Sequence, residues 1–124
     1  MNKSHIIFFI ALLGAFFNYY SSSYLFFWGW SEIAHFCGGI FISYLVYSRW
    51  RECDPTSFNQ SKVRTKFFIV TAGAIWWLTF WEILEYAFFY FNEVNIEVYN
   101  DTMRDLMMDF LGSFIASYFL AKKK

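Results

Sequence analysis

Charge is scarce in this sequence. Asp, Glu, Lys and Arg make up 16% of the 124 residues, against about 25% in soluble domains. The shortage is uneven: His5 to Ser48 and Phe67 to Met103 contain no Lys or Arg at all. Windows of that kind cannot form the solvated face of a globular protein, so an ordinary soluble domain is excluded. Proline occurs once, at Pro55, and interrupts none of the apolar runs. The formal net charge is +0, which leaves no basic field for nucleic acid. Cysteine is limited to Cys37 and Cys53, with no CxxC motif; the pair suggests free thiols rather than a disulfide framework.

In place of charge there are apolar and aromatic residues, 58% and 27% of the chain. A bilayer span takes about 20 such residues at 1.5 Å rise each, and the chain is short enough to be one domain at most. The expected fold is all-α: a single four-transmembrane-helix domain over residues 1–124, with spans at about 6–28, 31–50, 67–91 and 101–121. Lys3 followed by Ile6 to Phe17 has the look of a signal peptide, with Ser21 to Ser23 as its small-residue region. The apolar run resumes at once in Tyr24 to Trp28, which favours a retained helix. Ser31 is placed to cap the second span. The polar segment Arg51–Lys66 reads as a loop between spans two and three, and Asn92–Asn100 as a short acidic loop before span four.

Orientation follows from the basic residues. Lys3, Arg49, Arg51, Lys62, Arg64, Lys66 and the terminal Lys122, Lys123 and Lys124 fall on one side, and Arg104 alone on the other. Both termini and the Cys53 segment are therefore expected in the cytoplasm of a bacterial inner-membrane, multi-pass protein. Trp28, Trp30, Tyr90 and Tyr99 suit an outer interfacial belt, and Tyr47 and Trp50 an inner one. Trp76, Trp77 and Trp81 fall mid-span, where packing or lipid contact is their ordinary role. Gly38-Gly39, Gly73 and Gly112-Ser113 are small sites where helices can approach closely.

That topology brings the ionisable residues of three spans to the same end. At 1.5 Å per residue, His35 lies about 6 Å below the outer boundary, Glu85 about 9 Å and Glu82 about 14 Å. Asp105 and Asp109 come to about 6 and 12 Å. The spacings agree: Glu32 and His35 are three apart, as are Glu82 and Glu85, and Asp101, Asp105 and Asp109 run in fours. Such separations keep side chains on one helical face, and the acidic faces must point inward because a bare carboxylate in lipid is costly. So many acids repel unless some are protonated, Arg104 pairs with one, or a cation binds. Arg104 is a single charge, too few for the group. Carboxylates with one imidazole suit a divalent ion such as Mg, Mn, Zn or Fe.

Each member also has a structural reading. A lone interior histidine is usually just hydrogen-bonded, and Asp101 and Glu32 fit helix N-terminal acids favoured by the dipole. Glu82 and Glu85 lie too deep for solvated residues, and for Asp105 and Asp109 too a functional role is favoured. Glu93 and Glu97 read as loop solvation, and His5 as interfacial.

His35-Phe36-Cys37-Gly38-Gly39, Trp81-Glu82-Ile83-Leu84-Glu85-Tyr86 and Asp101 through Gly112 resemble the YjdF-like family of small bacterial inner-membrane proteins. More distantly the pattern is similar to the VanZ-like family, associated with glycopeptide-antibiotic resistance, from which it departs where Glu85 and Asp109 stand in place of amide residues. The resemblance implies a helical membrane domain and no particular activity.

The residues themselves suggest a metal-dependent hydrolase acting on a membrane lipid or lipid-linked headgroup at the outer leaflet. His35, Glu82, Glu85, Asp105 and Asp109 would hold the metal, which would acidify a bound water. Asp101 or Glu32 would take the proton as general base. The alternatives are a cation or proton carrier, for which the inner half of spans two to four supplies no acid, and a non-catalytic binding or assembly protein. Oligomeric state leaves no mark in the sequence.

Overall fold

The computed structural model describes residues 30–87 and 96–123. The expected first span, His5, Trp28, the turn at Gly29, Tyr90, Glu93 and the end of the third span lie outside the described residues, as do the side chains of Trp30 and Glu97. Among the described residues the chain is helical without strands. The helices are α1 (Trp30–Cys53), α2 (Pro55–Gln60), α3 (Val63–Glu85) and α4 (Ile96–Ala121).

The helices outrun the apolar segments from which they were inferred. Arg51 to Cys53 complete α1, Val63 to Lys66 begin α3, and Ile96 to Asn100 begin α4. Hydropathy marks where a helix meets apolar surroundings, whereas the hydrogen-bond ladder continues into polar sequence. The supposed loop Arg51–Lys66 also holds α2, and local chemistry explains it. The Ser57 N–H donates to Asp54 Oδ1 at 2.9 Å and Pro55 occupies the first helical position, both helix-start signals. Ser31 does not cap α1, because Trp30 before it is already helical.

α1 and α4 run parallel. Contacts pair Ser31 with Asp105, His35 with Asp109 and Ser43 with Ser113 in ascending order along both helices. α3 is antiparallel to them, with Glu82 beside His35 and Gly73 against Val46. Among the described residues the α1–α4 contact is the most extensive, and glycine makes it so. A Cβ on Gly39 would run into the Asp109 carbonyl, and one on Gly112 into the Phe36 carbonyl. The serines knit the same seam: the Ser43 hydroxyl donates to the Ser113 carbonyl (3.4 Å) and the Ser113 hydroxyl to the Gly39 carbonyl (3.3 Å).

The distribution of side chains is inside-out. Ser43, Ser113, Ser117 and Asp109 are buried, while Phe68, Trp76, Met107 and Phe119 are more than 60% exposed. In water such an exterior would aggregate, whereas in lipid it is the expected one, with small and polar residues between the helices. Trp76, Trp77 and Trp81 belong to this exterior. Of the described helices one, Val63–Glu85, is long and apolar enough to cross a membrane. Glu32 and His35 weigh against α1 on that measure, and Arg104, Asp105 and Asp109 against α4.

The end of the group opposite His35 is filled. Phe58 of α2 is buried with Tyr47, Val70 and Leu120, with Trp50 packed alongside. Its ring meets Tyr47 edge-on at 5.0 Å and Trp50 at 5.3 Å, and the Lys66 ammonium lies 4.0 Å above it. Tyr47 is therefore a core residue and not part of an interfacial belt; α2 covers it.

Candidate metal site

One face of α1 carries Ser31, His35, Gly39 and Ser43 at intervals of four, and one face of α4 carries Asp105, Asp109 and Ser113 likewise. Parallel packing at Gly39 and Gly112 superposes these faces, so two helix backbones in contact bring imidazole and carboxylates together. α3 delivers Glu82 from the opposite direction, on the same face as its buried Val70, Ala74 and Leu78.

The imidazole is the hub. His35 Nδ1 lies 3.3 Å from Asp109 Oδ2 and 3.5 Å from Glu82 Oε1. Its other nitrogen, Nε2, lies 3.4 Å from Asp105 Oδ2. Asp105 Oδ1 accepts from the Ser31 hydroxyl at 3.2 Å. Asp109 and Glu82 are nearly sealed from solvent, 1% and 5% exposed, and Asp105 is buried too. Glu82 Oε1 is buried with no hydrogen-bond partner, its approach to the ring lacking the geometry of a bond. An unpartnered buried carboxylate oxygen is expensive, and this one aims into the cluster.

One atom each from His35, Glu82 and Asp109 lies within 4.8 Å of the other two. The Nδ1–Asp109 Oδ2 pair is a hydrogen bond, longer than charge-assisted ones at about 2.7–2.9 Å. Both separations from Nδ1, 3.3 and 3.5 Å, are also near the edge, about 3.4 Å, of a tetrahedron around an ion bonded at about 2.1 Å. A nitrogen with two carboxylate oxygens is also a donor set that divalent metals accept. On geometry and donor chemistry the three residues fit a cation.

The five residues expected to hold a metal divide accordingly. His35, Glu82 and Asp109 converge. Asp105 sits at the far edge of the imidazole, and a carboxylate at Nε2 cannot share an ion bound at Nδ1. Glu85, one turn beyond Glu82 and half-buried, is not one of the convergent three. The two acids expected to act as bases lie one turn further out, Glu32 half-buried and Asp101 exposed. Arg104 is exposed on α4. Sequence reasoning missed Ser31 as part of the site; its spacing of four from His35 is the signal that places it on that face. Cys37 and Cys53 are free and exposed.

A helical group with an apolar exterior and ionisable residues inside defines a membrane protein. The chain belongs to the family described as predicted membrane protein (DUF2238), whose model matches residues 4–124. The YjdF-like resemblance is consistent with that membership, since YjdF belongs to the same family, and the VanZ-like one finds no support. No curated protein and no solved structure matches the chain.

Proposed function

We propose that the chain is a four-span, single-domain protein of the bacterial cytoplasmic membrane whose His35, Glu82 and Asp109 hold a divalent cation for hydrolysis of a lipid or lipid-linked headgroup. The observation that carries this reading is the convergence of three ligand atoms on one buried point at which Glu82 Oε1 has no other partner. Three protein ligands leave coordination positions free for substrate, and the ion would supply Lewis acidity there. At the same end of the helices as the site, Ser31 and Glu32 are half-buried and Asp101 is exposed. By the basic-residue asymmetry that end faces the outer leaflet, so Asp101 or Glu32 would meet the proton of an attacking water.

A carrier would need a route to the other side. Behind the site lie the buried hydroxyls of Ser43, Ser113, Ser117 and Thr71, and beyond them the Phe58 closure. That arrangement favours a site served from one end.

The test is thermal unfolding in detergent, with and without chelator, for wild type, Asp109→Asn and Glu82→Gln. A ligand that binds only the folded state stabilises it by mass action. Chelator should lower the wild-type melting temperature, and both variants should lose metal content and stability together. A wild type indifferent to chelator, with both amides at least as stable, would mean that the acids are simply protonated and would remove the metal reading.

A further inference from the structure

Asp105 stands at the ring nitrogen that the convergent ligands do not use, and it is itself held. We infer that Asp105 is a positioning residue: fixed by the Ser31 hydroxyl and 3.4 Å from His35 Nε2, it would accept the Nε2–H when Nδ1, hydrogen-bonded to Asp109 in this structure, turns to a cation shared with Glu82 and Asp109. The inference rests on the metal reading above and deepens it, assigning each ring nitrogen one task.

Three observations converge on it. Asp105 Oδ2 is 3.4 Å from Nε2, while both carboxylates of the convergent set, at 3.3 and 3.5 Å, face Nδ1. Asp105 Oδ1 is engaged by Ser31 at 3.2 Å, so its second oxygen is directed at the ring. Glu82 Oε1, nine-tenths buried and without a hydrogen-bond partner, points to the Nδ1 side and not to the Asp105 side. A ligating histidine commonly gives its other N–H to a carboxylate, which fixes the tautomer and the ring orientation. Here the residues for that relay are aligned across the α1–α4 seam, Ser31 hydrogen-bonded to Asp105 and Asp105 3.4 Å from His35 Nε2, each step crossing from one helix to the other.

The chain has two histidines, so a His5→Gln background leaves one imidazole to report. In ¹⁵N-histidine-labelled protein in micelles, titrated with zinc, Nδ1 should shift on zinc addition while Nε2 keeps its proton. Zinc appearing at Nε2 would overturn the inference and leave the metal reading standing. No zinc-dependent change at either nitrogen would overturn both. Asp105→Asn should weaken zinc binding by about 10–100-fold with stoichiometry unchanged, and should abolish the downfield shift that a carboxylate imposes on the Nε2 proton. Ser31→Ala should act in the same direction and less strongly. A zinc stoichiometry that falls to zero at saturating metal in a folded Asp105→Asn protein would make Asp105 a ligand and overturn the inference. The wild-type nitrogen pattern needs no Asp105 variant and decides the matter even if that variant fails to fold.

Discussion

A methyl group at Gly39 would separate the two helices that make the site. The added Cβ would stand 2.9 Å from Ser113 N and 3.0 Å from the Asp109 carbonyl carbon, with the carbonyl oxygen nearer still. Ordinary contacts between such atoms are about 3.5–4.0 Å, and all three obstacles are backbone, so no rotamer change relieves them. The helices must part by on the order of 1 Å, and overpacking of this kind costs about 1–3 kcal/mol. His35 is on one helix and Asp109 on the other, so their 3.3 Å approach widens at the same time. If strain of that size also fell on the ion, affinity would drop about 5–150-fold. Gly38 supplies the control: its Cβ would meet only Asp109 Oδ1, at 3.5 Å. There the helix preference for Ala over Gly, about 0.5–1 kcal/mol, should prevail. The two neighbouring substitutions are thus expected to have opposite signs. Melting in detergent, with zinc titration calorimetry on each variant, reads both effects. Gly39→Ala melting at or above wild type would refute the close approach on which the site is built.

The Cys53 segment should be cytoplasmic: in a Cys37→Ser background, a membrane-impermeant thiol reagent on intact cells should leave Cys53 unlabelled, and labelling without permeabilisation would reverse the orientation. Phe58→Ala should cost about 3–5 kcal/mol while leaving zinc affinity unchanged, because the closure and the site lie at opposite ends; an equal loss of zinc binding would contradict that separation. Leu111→Asp, at an exposed position amid α4, should lower accumulation in the membrane fraction, since a mid-span Asp costs about 2.5–3.5 kcal/mol. Normal accumulation would show that this face does not meet lipid.

The ionisable face of each helix was legible in the sequence because helical spacing and the cost of a lipid-facing carboxylate act together. Spacings of three and four fix a face, and desolvation decides that the face turns inward. Neither reveals which helix is whose neighbour. Gly39 and Gly112 read only as small residues; that each admits the other helix's carbonyl depends on the relative height of α1 and α4, which no local pattern encodes. Tyr47 was misplaced for a related reason, since an aromatic near the end of an apolar run suits an interface until something covers it. Asp54 and Pro55 carried the signals for the covering helix, inside a segment polar enough to pass for a loop.

The division of labour around His35 was beyond sequence for a different reason. Spacing specifies the face a residue occupies, whereas ligand and orienting carboxylate differ only in which edge of one imidazole they approach. Asp105 and Asp109 are one helical turn apart and chemically identical. On the proposed reading they take different tasks because the His35 ring lies between them, with Glu82 on one side and Ser31 behind the carboxylate on the other. Exchanging the two acids' roles would require turning the ring over, which would bring Nδ1 to the carboxylate already held by Ser31 and Nε2 to Glu82 and Asp109. On that reading the asymmetry of the site resides in Ser31 and Glu82, and those residues, more than the two aspartates, would decide where a cation sits.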